Sequence, residues 1–223
     1  MNPLPPVTKA LLWAMAIIFL LQQVMGDFLM LHFALWPWGD FPLGPGADGL
    51  PLSAGFQPWQ LLSYGFLHGN FMHLFFNCIA LFQFGARVEY SFGPRRYAQF
   101  FLVCVVGAGL FQLLVTSVMV NSGAPAFPTI GASGGVFGLL LAYAMLFPRE
   151  RVMLLLPPVE MSARTLVIVF GVIELVMGVT GTAAGIAHFA HLGGMLFGWL
   201  LMRYWRGQPP FKKRRPPGPR LVR

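Results

Sequence analysis

A serine among glycines opens an apolar stretch in the second half of the chain. Ser133 lies in the sequence TIGASGGVFG, and no charged residue follows it until Arg149. A serine hydroxyl becomes an effective nucleophile only when a neighbouring base accepts its proton. Small residues also crowd the interfaces of membrane helices, so this motif alone is weak evidence for catalysis and is more typical of a packing role. A catalytic role for Ser133 therefore requires a base from elsewhere in the chain.

The composition indicates a membrane protein. Of the 223 residues, 57% are hydrophobic and only 10% are charged, whereas soluble domains carry about 25% charged residues. Cys78 and Cys104 both lie in apolar runs, which argues against a disulfide framework and assigns them to packing. Lys9 precedes an apolar run without a small-residue cleavage site, which predicts a retained anchor rather than a cleaved signal peptide.

Six apolar runs are candidates for crossing the hydrocarbon core, which takes about 20 helical residues. We predict spans at 10–25, 66–86, 97–120, 131–147, 165–180 and 186–204. The predicted fold class is an all-α membrane protein, a six-helix bundle with a short central fourth helix. The loop between the first two spans is long and rich in Pro, Gly and Trp, and we expect it to be partly embedded in the membrane.

The basic residues support this count of six spans. All fifteen Lys and Arg residues precede the first span, follow the sixth, or lie between spans 2 and 3 or 4 and 5. The other three loops carry Asp40 and Asp48 instead. Because cytoplasmic loops are enriched in Lys and Arg, both termini are predicted to be cytoplasmic, in the inner (plasma) membrane of a bacterium.

Three regions follow from this topology. Residues 1–9 form a cytoplasmic N-terminus, 10–206 the six-helix domain, and 207–223 a basic, Pro-rich tail that we expect to be disordered near the anionic headgroups of the lipid bilayer. A specific lipid or partner site in this tail is the alternative. Nucleic-acid binding is not expected, since the basic residues are explained by topology and form no folded basic face.

The topology also brings polar residues of different spans to one depth. The second, fourth and sixth spans all run inward, so their outer ends carry His73, Asn77, Ser133, His188 and His191. Polar groups inside lipid are costly and are often functional. His73 and Asn77 are four residues apart and share a helical face, whereas His68 is five residues from His73 and is expected to point elsewhere.

Small residues on two spans indicate how Ser133 and His191 meet. Gly134 and Gly138 form one small-residue strip, and Gly194 and Gly198 form another. Such strips let two helix backbones approach closely. If they face each other, the hydroxyl of Ser133 comes within hydrogen-bond reach of His191.

Judged by residue type alone, these polar residues could also have two other roles. His73 and Asn77 are also suited to hydrogen bonds between helices. His188 and His191, with His68 or His73, are candidate zinc ligands. Against zinc, we expect no carboxylate at this depth, since Glu174 is assigned to the middle of the membrane. For the same reason His191 is predicted to act without a carboxylate behind it.

These residues resemble a known family, the rhomboid intramembrane serine proteases. The motifs are GASG around Ser133, AHLGGMLFG around His191 and FLHGNFMHLFFN before and within the second span. The segments ARVEYSFGPRRY and PWQLLSYGFLH are similar to other parts of the family pattern. The resemblance runs in the right order from about Trp59 to Tyr204.

The resemblance implies roles for individual residues. Ser133 is the nucleophile and His191 the general base, while His73, Asn77 and the backbone N–H of Ser133 stabilise the oxyanion. Gly131 and Gly134 belong to the serine motif, and Gly194 and Gly198 to the histidine motif. Phe137 stands where many members carry a tyrosine that stacks on the base. Gln60 stands where the family has an arginine, which weakens the prediction of how the first loop is anchored.

The resemblance also implies the reaction. We expect an intramembrane serine endopeptidase, without metal or organic cofactor, whose partner is the transmembrane segment of a single-span membrane protein. A helical substrate must unwind before attack, which favours small or helix-breaking residues near its outer end. The alternatives are a catalytically inactive rhomboid-like protein that binds membrane segments, or a small proton-coupled transporter. The oligomeric state is left open.

Overall fold

The computed structural model describes residues 3–45, 49, 51–154, 158–182 and 185–211. Asp48 and the basic tail from Lys212 lie outside these residues, so the expectations for them stay predictions. The chain begins with α1 (Pro6–Phe33), and the first loop contains an antiparallel hairpin of β1 (Phe41–Pro45) and β2 (Pro51–Ala54). Next come a short helix, α2 (Gln60–Ser63), and a 3-10 turn at Tyr64–Phe66.

The rest of the chain is mainly helical. The elements are α3 (Phe71–Ala80), a π-helical turn (Leu81–Gly85), α4 (Ala86–Phe92), α5 (Pro94–Asn121), α6 (Ser133–Leu146), β3 (Arg151–Met153), β4 (Glu160–Ser162), α7 (Ala163–Thr180) and α8 (His188–Trp205). The all-α six-helix bundle is confirmed, with α3, the π-helical turn and α4 forming one continuous span. The two hairpins are additions that the sequence did not predict, and both lie in connecting loops.

The described helices have the length and composition of a multi-pass membrane protein. Four stretches are long and apolar enough to cross a membrane, namely Pro6–Phe33, Phe71–Phe92, Pro94–Asn121 and Ala163–Thr180. The apolar helix α6 is shorter, and its 14 residues extend about 21 Å at 1.5 Å per residue. This is less than the hydrocarbon thickness of about 30 Å. The predicted short fourth span is therefore present.

The first span begins at Pro6 rather than at residue 10 because a distant carboxylate caps it. Glu89 accepts hydrogen bonds from the backbone N–H groups of Val7 and Thr8 and from the Thr8 hydroxyl, at 2.9, 2.7 and 2.8 Å. These N–H groups belong to the first turn and have no acceptor within the helix. The helix also continues past the predicted end at Met25, where non-helical backbone angles introduce a kink.

The second span begins at Phe71 rather than at residue 66. The Asn70 side chain accepts a hydrogen bond from the backbone N–H of His73 at 2.8 Å, which is a typical N-cap. His68 therefore lies before the helix. The spacing of residues along a helix cannot be used to predict the direction of His68 relative to His73. The prediction that His68 points elsewhere is wrong, since the two rings pack edge to face with centroids 5.1 Å apart.

Gln60, which stands where the resembling family has an arginine, anchors the first loop. The Gln60 side chain is fully buried. Its Oε1 accepts from the backbone N–H groups of Trp36 and Gln57, and its Nε2 donates to the carbonyls of His32 and Gly55. A neutral amide thus joins both ends of the loop to α2.

Replacing Gln60 with alanine is expected to destabilise the protein by about 1–3 kcal/mol, because the buried backbone groups that it pairs lose their partners. Thermal unfolding in detergent measures this loss. Gln57→Ala is the matched control, since Gln57 is exposed and gives Gln60 only its backbone N–H. Equal melting temperatures for Gln60→Ala and Gln57→Ala would exclude the anchoring role.

Candidate active site

Ser133 and His191 meet between two helices that are distant in sequence. Ser133 is the first residue of α6 and His191 lies in the first turn of α8. The Oγ of Ser133 and the Nε2 of His191 are 2.7 Å apart, in hydrogen-bond geometry. Ser133 is half-buried, whereas only 7% of His191 is exposed. The predicted contact is therefore present, and the chemical roles of the two residues stay predictions.

The two glycine strips produce this contact. A Cβ built on Gly194 would lie 1.8 Å from the carbonyl oxygen of Gly134, and one on Gly138 would lie 3.0 Å from the carbonyl oxygen of Gly194. A Cβ on Gly198 would be 3.4 Å from the Cα of Gly138. The predicted strips therefore face each other, and the absence of side chains sets the distance between α6 and α8.

Phe137 fixes the plane of the histidine ring. It lies one turn after Ser133 and stacks on His191, with ring centroids 4.2 Å apart and planes inclined by 4°. The aromatic ring therefore stacks on His191 without a tyrosine hydroxyl. This contact restrains rotation of the imidazole out of its plane, but a stacked ring selects neither tautomer.

His73 and Gly131 lie beside the serine. A Cβ on Gly131 would be 2.7 Å from Nε2 of His73 and 3.7 Å from Oγ of Ser133. Gly131 also has a φ of +125°, which L side chains rarely adopt. Nδ1 of His73 accepts from the backbone N–H of Gly69 at 3.4 Å. In the neutral ring this leaves the hydrogen on Nε2, which is then a donor near Ser133.

Asn77 and the start of α6 supply further donors. Nδ2 of Asn77 donates to the carbonyl of His73 at 2.9 Å, and an amide group has a second hydrogen to give. The backbone N–H of Ser133 belongs to the first turn of α6 and has no acceptor within that helix. His73, Asn77 and Ser133 all line the same cavity.

This cavity has a volume of about 1290 Å³ and receives residues from α3, α5, α6, α7 and α8. Its wall is mostly apolar and includes Met72, Phe76, Phe170 and Met177. Ser133 and His191 are among the polar residues that line it. The cavity is thus large enough for a segment of polypeptide as well as for water.

A carboxylate lies behind His191, contrary to our expectation from the sequence. Glu174 Oε2 on α7 is 2.8 Å from Nδ1 of His191 and 2.6 Å from Nδ1 of His188. The contact with His188 has the direction of a hydrogen bond, whereas the contact with His191 has the distance without the alignment. The assignment of Glu174 to a separate depth was therefore wrong.

The sequence did contain a signal for this contact. The helices α7 and α8 are consecutive, pack against each other and run in opposite directions. Glu174 is six residues before the end of α7. His191 is three residues after the start of α8. At 1.5 Å per residue the two side chains are only about 5 Å apart in depth, measured from the loop that joins the helices. Counting both depths from this loop places them at a similar depth, and the rotation of the two helices then decides whether they meet.

Glu174, His188 and His191 also have the donor set of a metal centre, since their ligand atoms all lie within 4.8 Å of one another. The expectation that no carboxylate shares the depth of the histidines is thus corrected. Two ligands of one tetrahedral zinc ion lie about 3.3 Å apart, given bonds of about 2.0–2.1 Å. The observed separations of 2.6 and 2.8 Å are shorter. The aligned 2.6 Å contact with His188 is typical of a charge-assisted pair that shares a hydrogen, and both separations are too short for two ligands of one metal ion.

Comparisons with known proteins agree with the motifs. The family model for the Rhomboid domain matches residues 55–207. RHOMBOID-like protein 4 of Arabidopsis thaliana is 30% identical over 156 residues, which are 70% of this chain and 36% of that protein. Rhomboid protein 1, mitochondrial, of Saccharomyces cerevisiae is 28% identical over 65% of this chain and 42% of its own length.

A bacterial relative matches over a longer range. Rhomboid protease GlpG of Yersinia pestis is 26% identical over 201 residues, which are 90% of this chain and 62% of that protein. The chain therefore spans between about a third and two thirds of the length of these three relatives.

Proposed function

Because the chain belongs to the rhomboid family, we propose that it is an intramembrane serine endopeptidase that cleaves single-span membrane proteins within or near the outer end of their transmembrane segment. The observation that carries this proposal is the 2.7 Å contact between Oγ of Ser133 and Nε2 of His191, both of which line the cavity. A hydroxyl paired with an imidazole in this way is the minimal unit for acyl transfer.

The reaction proceeds in two halves. Nε2 of His191 accepts the hydroxyl proton while Oγ of Ser133 attacks the carbonyl carbon of the scissile peptide bond. When the tetrahedral intermediate collapses, the C–N bond breaks and His191 returns the proton to the leaving amine. Water then attacks the acyl-enzyme with His191 again as the base, and the carboxylic acid product leaves with Ser133 restored.

The oxyanion of the intermediate forms beside His73 and Asn77. Nε2–H of His73, the second amide hydrogen of Asn77 and the backbone N–H of Ser133 are the donors. Donors fixed in advance by the fold stabilise the developing charge more than they stabilise the neutral carbonyl, so they lower the barrier.

The apolar cavity supports a membrane segment as substrate. A peptide bond in a membrane helix is already hydrogen-bonded, so the segment must extend locally before Ser133 can reach its carbonyl. Small or helix-breaking residues near the cleavage site reduce that cost. The orientation belongs to the same proposal: both termini are cytoplasmic in a bacterial plasma membrane, as the distribution of Lys and Arg supports.

Purified protein in liposomes tests the proposal. We expect it to cleave a model single-span segment with Gly, Ala or Ser near its outer end, and to react with a fluorophosphonate at Ser133. An inactive binding protein would give neither result, and a transporter would carry protons in a variant without the serine. Failure to cleave any member of a substrate panel, together with absence of labelling, would contradict the proteolytic function.

Replacing the oxyanion donors is expected to lower kcat and leave the fold intact. His73→Ala and Asn77→Ala should each reduce kcat by about 10²–10³-fold, since each removes a donor from a low-dielectric site. Initial rates at saturating substrate measure this effect. Gln83→Ala is the matched control, because Gln83 lines the same cavity six residues after Asn77. Wild-type kcat in both donor variants would refute their role.

A further inference from the structure

The carboxylate behind His191 gives this chain more than a serine–histidine pair. We infer that Glu174 is a positioning residue that holds the Nδ1 side of His191, and that His188 in turn holds Glu174. The inference rests on the proposed function. It adds a third helix, α7, to the catalytic arrangement of α6 and α8.

The hydrogen-bond requirements of the two ring nitrogens support this role. Nε2 of His191 must be free of hydrogen to accept the Ser133 proton, so the neutral ring must carry its hydrogen on Nδ1. Glu174 Oε2 is the acceptor 2.8 Å from that atom. Phe137 fixes the plane of the ring, whereas Glu174 selects the tautomer in which Nε2 is the base.

The charge of Glu174 matters most after the proton has moved. His191 then carries a positive charge at a site where only 7% of the residue is exposed, and Glu174 itself is 9% exposed. Water screens a charge pair poorly in such surroundings, so a carboxylate at this distance stabilises the imidazolium. The stabilisation is greater in the transition state than in the resting enzyme, and it therefore raises kcat.

His188 keeps the carboxylate in place. Its Nδ1 pairs with Glu174 Oε2 at 2.6 Å, and its Nε2 lies 3.2 Å from the carbonyl oxygen of Thr182. An ionised carboxylate only accepts, so the Nδ1–H of His188 donates to Glu174, and the carbonyl of Thr182 lies at the other nitrogen of the same ring. The loop residue Thr182 thereby fixes His188, and His188 fixes Glu174.

The alignment of the His191 contact is consistent with a resting enzyme. Glu174 Oε2 lies within reach of Nδ1 of His191 but off the direction of a hydrogen bond, while its aligned partner is His188. Catalytic hydrogen bonds are often misaligned without substrate and tighten in the reacting complex. A small rotation of the carboxylate toward the newly charged His191 is sufficient here.

The test compares variants that separate charge from size. Glu174→Gln keeps the shape and removes the charge, and we expect kcat to fall by about 10- to 100-fold with little change in KM, as for loss of a charge-assisted hydrogen bond. Glu174→Asp keeps the charge and should recover part of kcat. Glu160→Gln is the matched control, because Glu160 is an exposed carboxylate paired with Arg151.

A double-mutant cycle tests the order of the contacts. If His188 acts through Glu174, then His188→Leu lowers kcat by itself but causes no further loss when Glu174 is already glutamine. Multiplying effects would overturn the role assigned to His188. Thermal unfolding of each variant shows whether it is folded. If the melting temperature of Glu174→Gln is well below that of the wild type, Glu174→Asp and Glu174→Leu take its place in the comparison.

The outcome is distinguishable from failure of the proposed function. If the wild-type protein cleaves its substrate and Glu174→Gln has the same kcat, the positioning role is refuted and the protease remains. Equal losses in Glu174→Asp and Glu174→Gln, or a change confined to KM, would also refute it. If the wild-type protein neither cleaves nor labels at Ser133, the proposed function itself fails.

Discussion

Replacing Ser133 with alanine is expected to reduce cleavage of a transmembrane substrate by at least about 10⁴-fold, to the background of the assay. The variant loses the only atom that forms the acyl-enzyme in the proposed mechanism. His191→Ala should reduce cleavage to a similar level, because a hydroxyl without a base is a weak nucleophile. The measurement is product formation in liposomes over hours, with fluorophosphonate labelling as the second readout.

The double variant tests whether Ser133 and His191 act in the same catalytic step. Since either single change removes the acyl-transfer step, Ser133→Ala with His191→Ala should be no slower than either alone. Ser122→Ala is the control for the substitution, because Ser122 is exposed at the end of α5 and its hydroxyl donates to the carbonyl of Val118 in that helix. Cleavage at the wild-type rate in either single variant would end the assignment.

Adding one methyl group at Gly194 is expected to have the second-largest effect. The new Cβ would lie 1.8 Å from the carbonyl oxygen and 2.6 Å from the carbonyl carbon of Gly134, which are backbone atoms and cannot rotate away. The helices α6 and α8 must therefore separate. Overpacking of this kind costs about 1–3 kcal/mol, and a displacement of about 1 Å between reacting groups can reduce the rate by about 10²-fold.

Two measurements test the Gly194→Ala variant: its melting temperature in detergent and its kcat on the model substrate. Gly171→Ala is the matched control on α7, where the nearest atom to the added Cβ is the sulfur of Met195 at 3.8 Å. This change should leave kcat unaltered and slightly favour the helix, because alanine is the better helix former. A Gly194→Ala protein with wild-type stability and rate would show that the strips do not set the distance between the helices.

Much of the fold was predictable because it depends on local composition. A stretch of about 20 apolar residues is a membrane helix for reasons of length and hydrogen bonding alone. The glycine strips were predictable in the same way, since positions four residues apart share a helical face. These rules place Ser133 and His191 next to the glycine strips of two different helices, and the structure shows that the two strips face each other.

The helix boundaries were less predictable because distant residues determine some of them. The first helix begins at Pro6 because Glu89, from α4, accepts its first N–H groups. The sequence near Pro6 contains no sign of that carboxylate. His68 was assigned to a helix because the apolar run continues through it, whereas the Asn70 cap starts the helix later.

The sequence by itself determined the six spans and the two glycine strips, because each follows from composition or periodicity within a single stretch. Only the tertiary structure decided that the two strips face each other and that Ser133 meets His191. It also decided that Glu174 pairs with His188 and faces Nδ1 of His191, and that Gln60 anchors the first loop. A buried polar group needs a partner wherever the fold can supply one. That partner depends on how helices rotate and pack against each other, which no single stretch of sequence specifies.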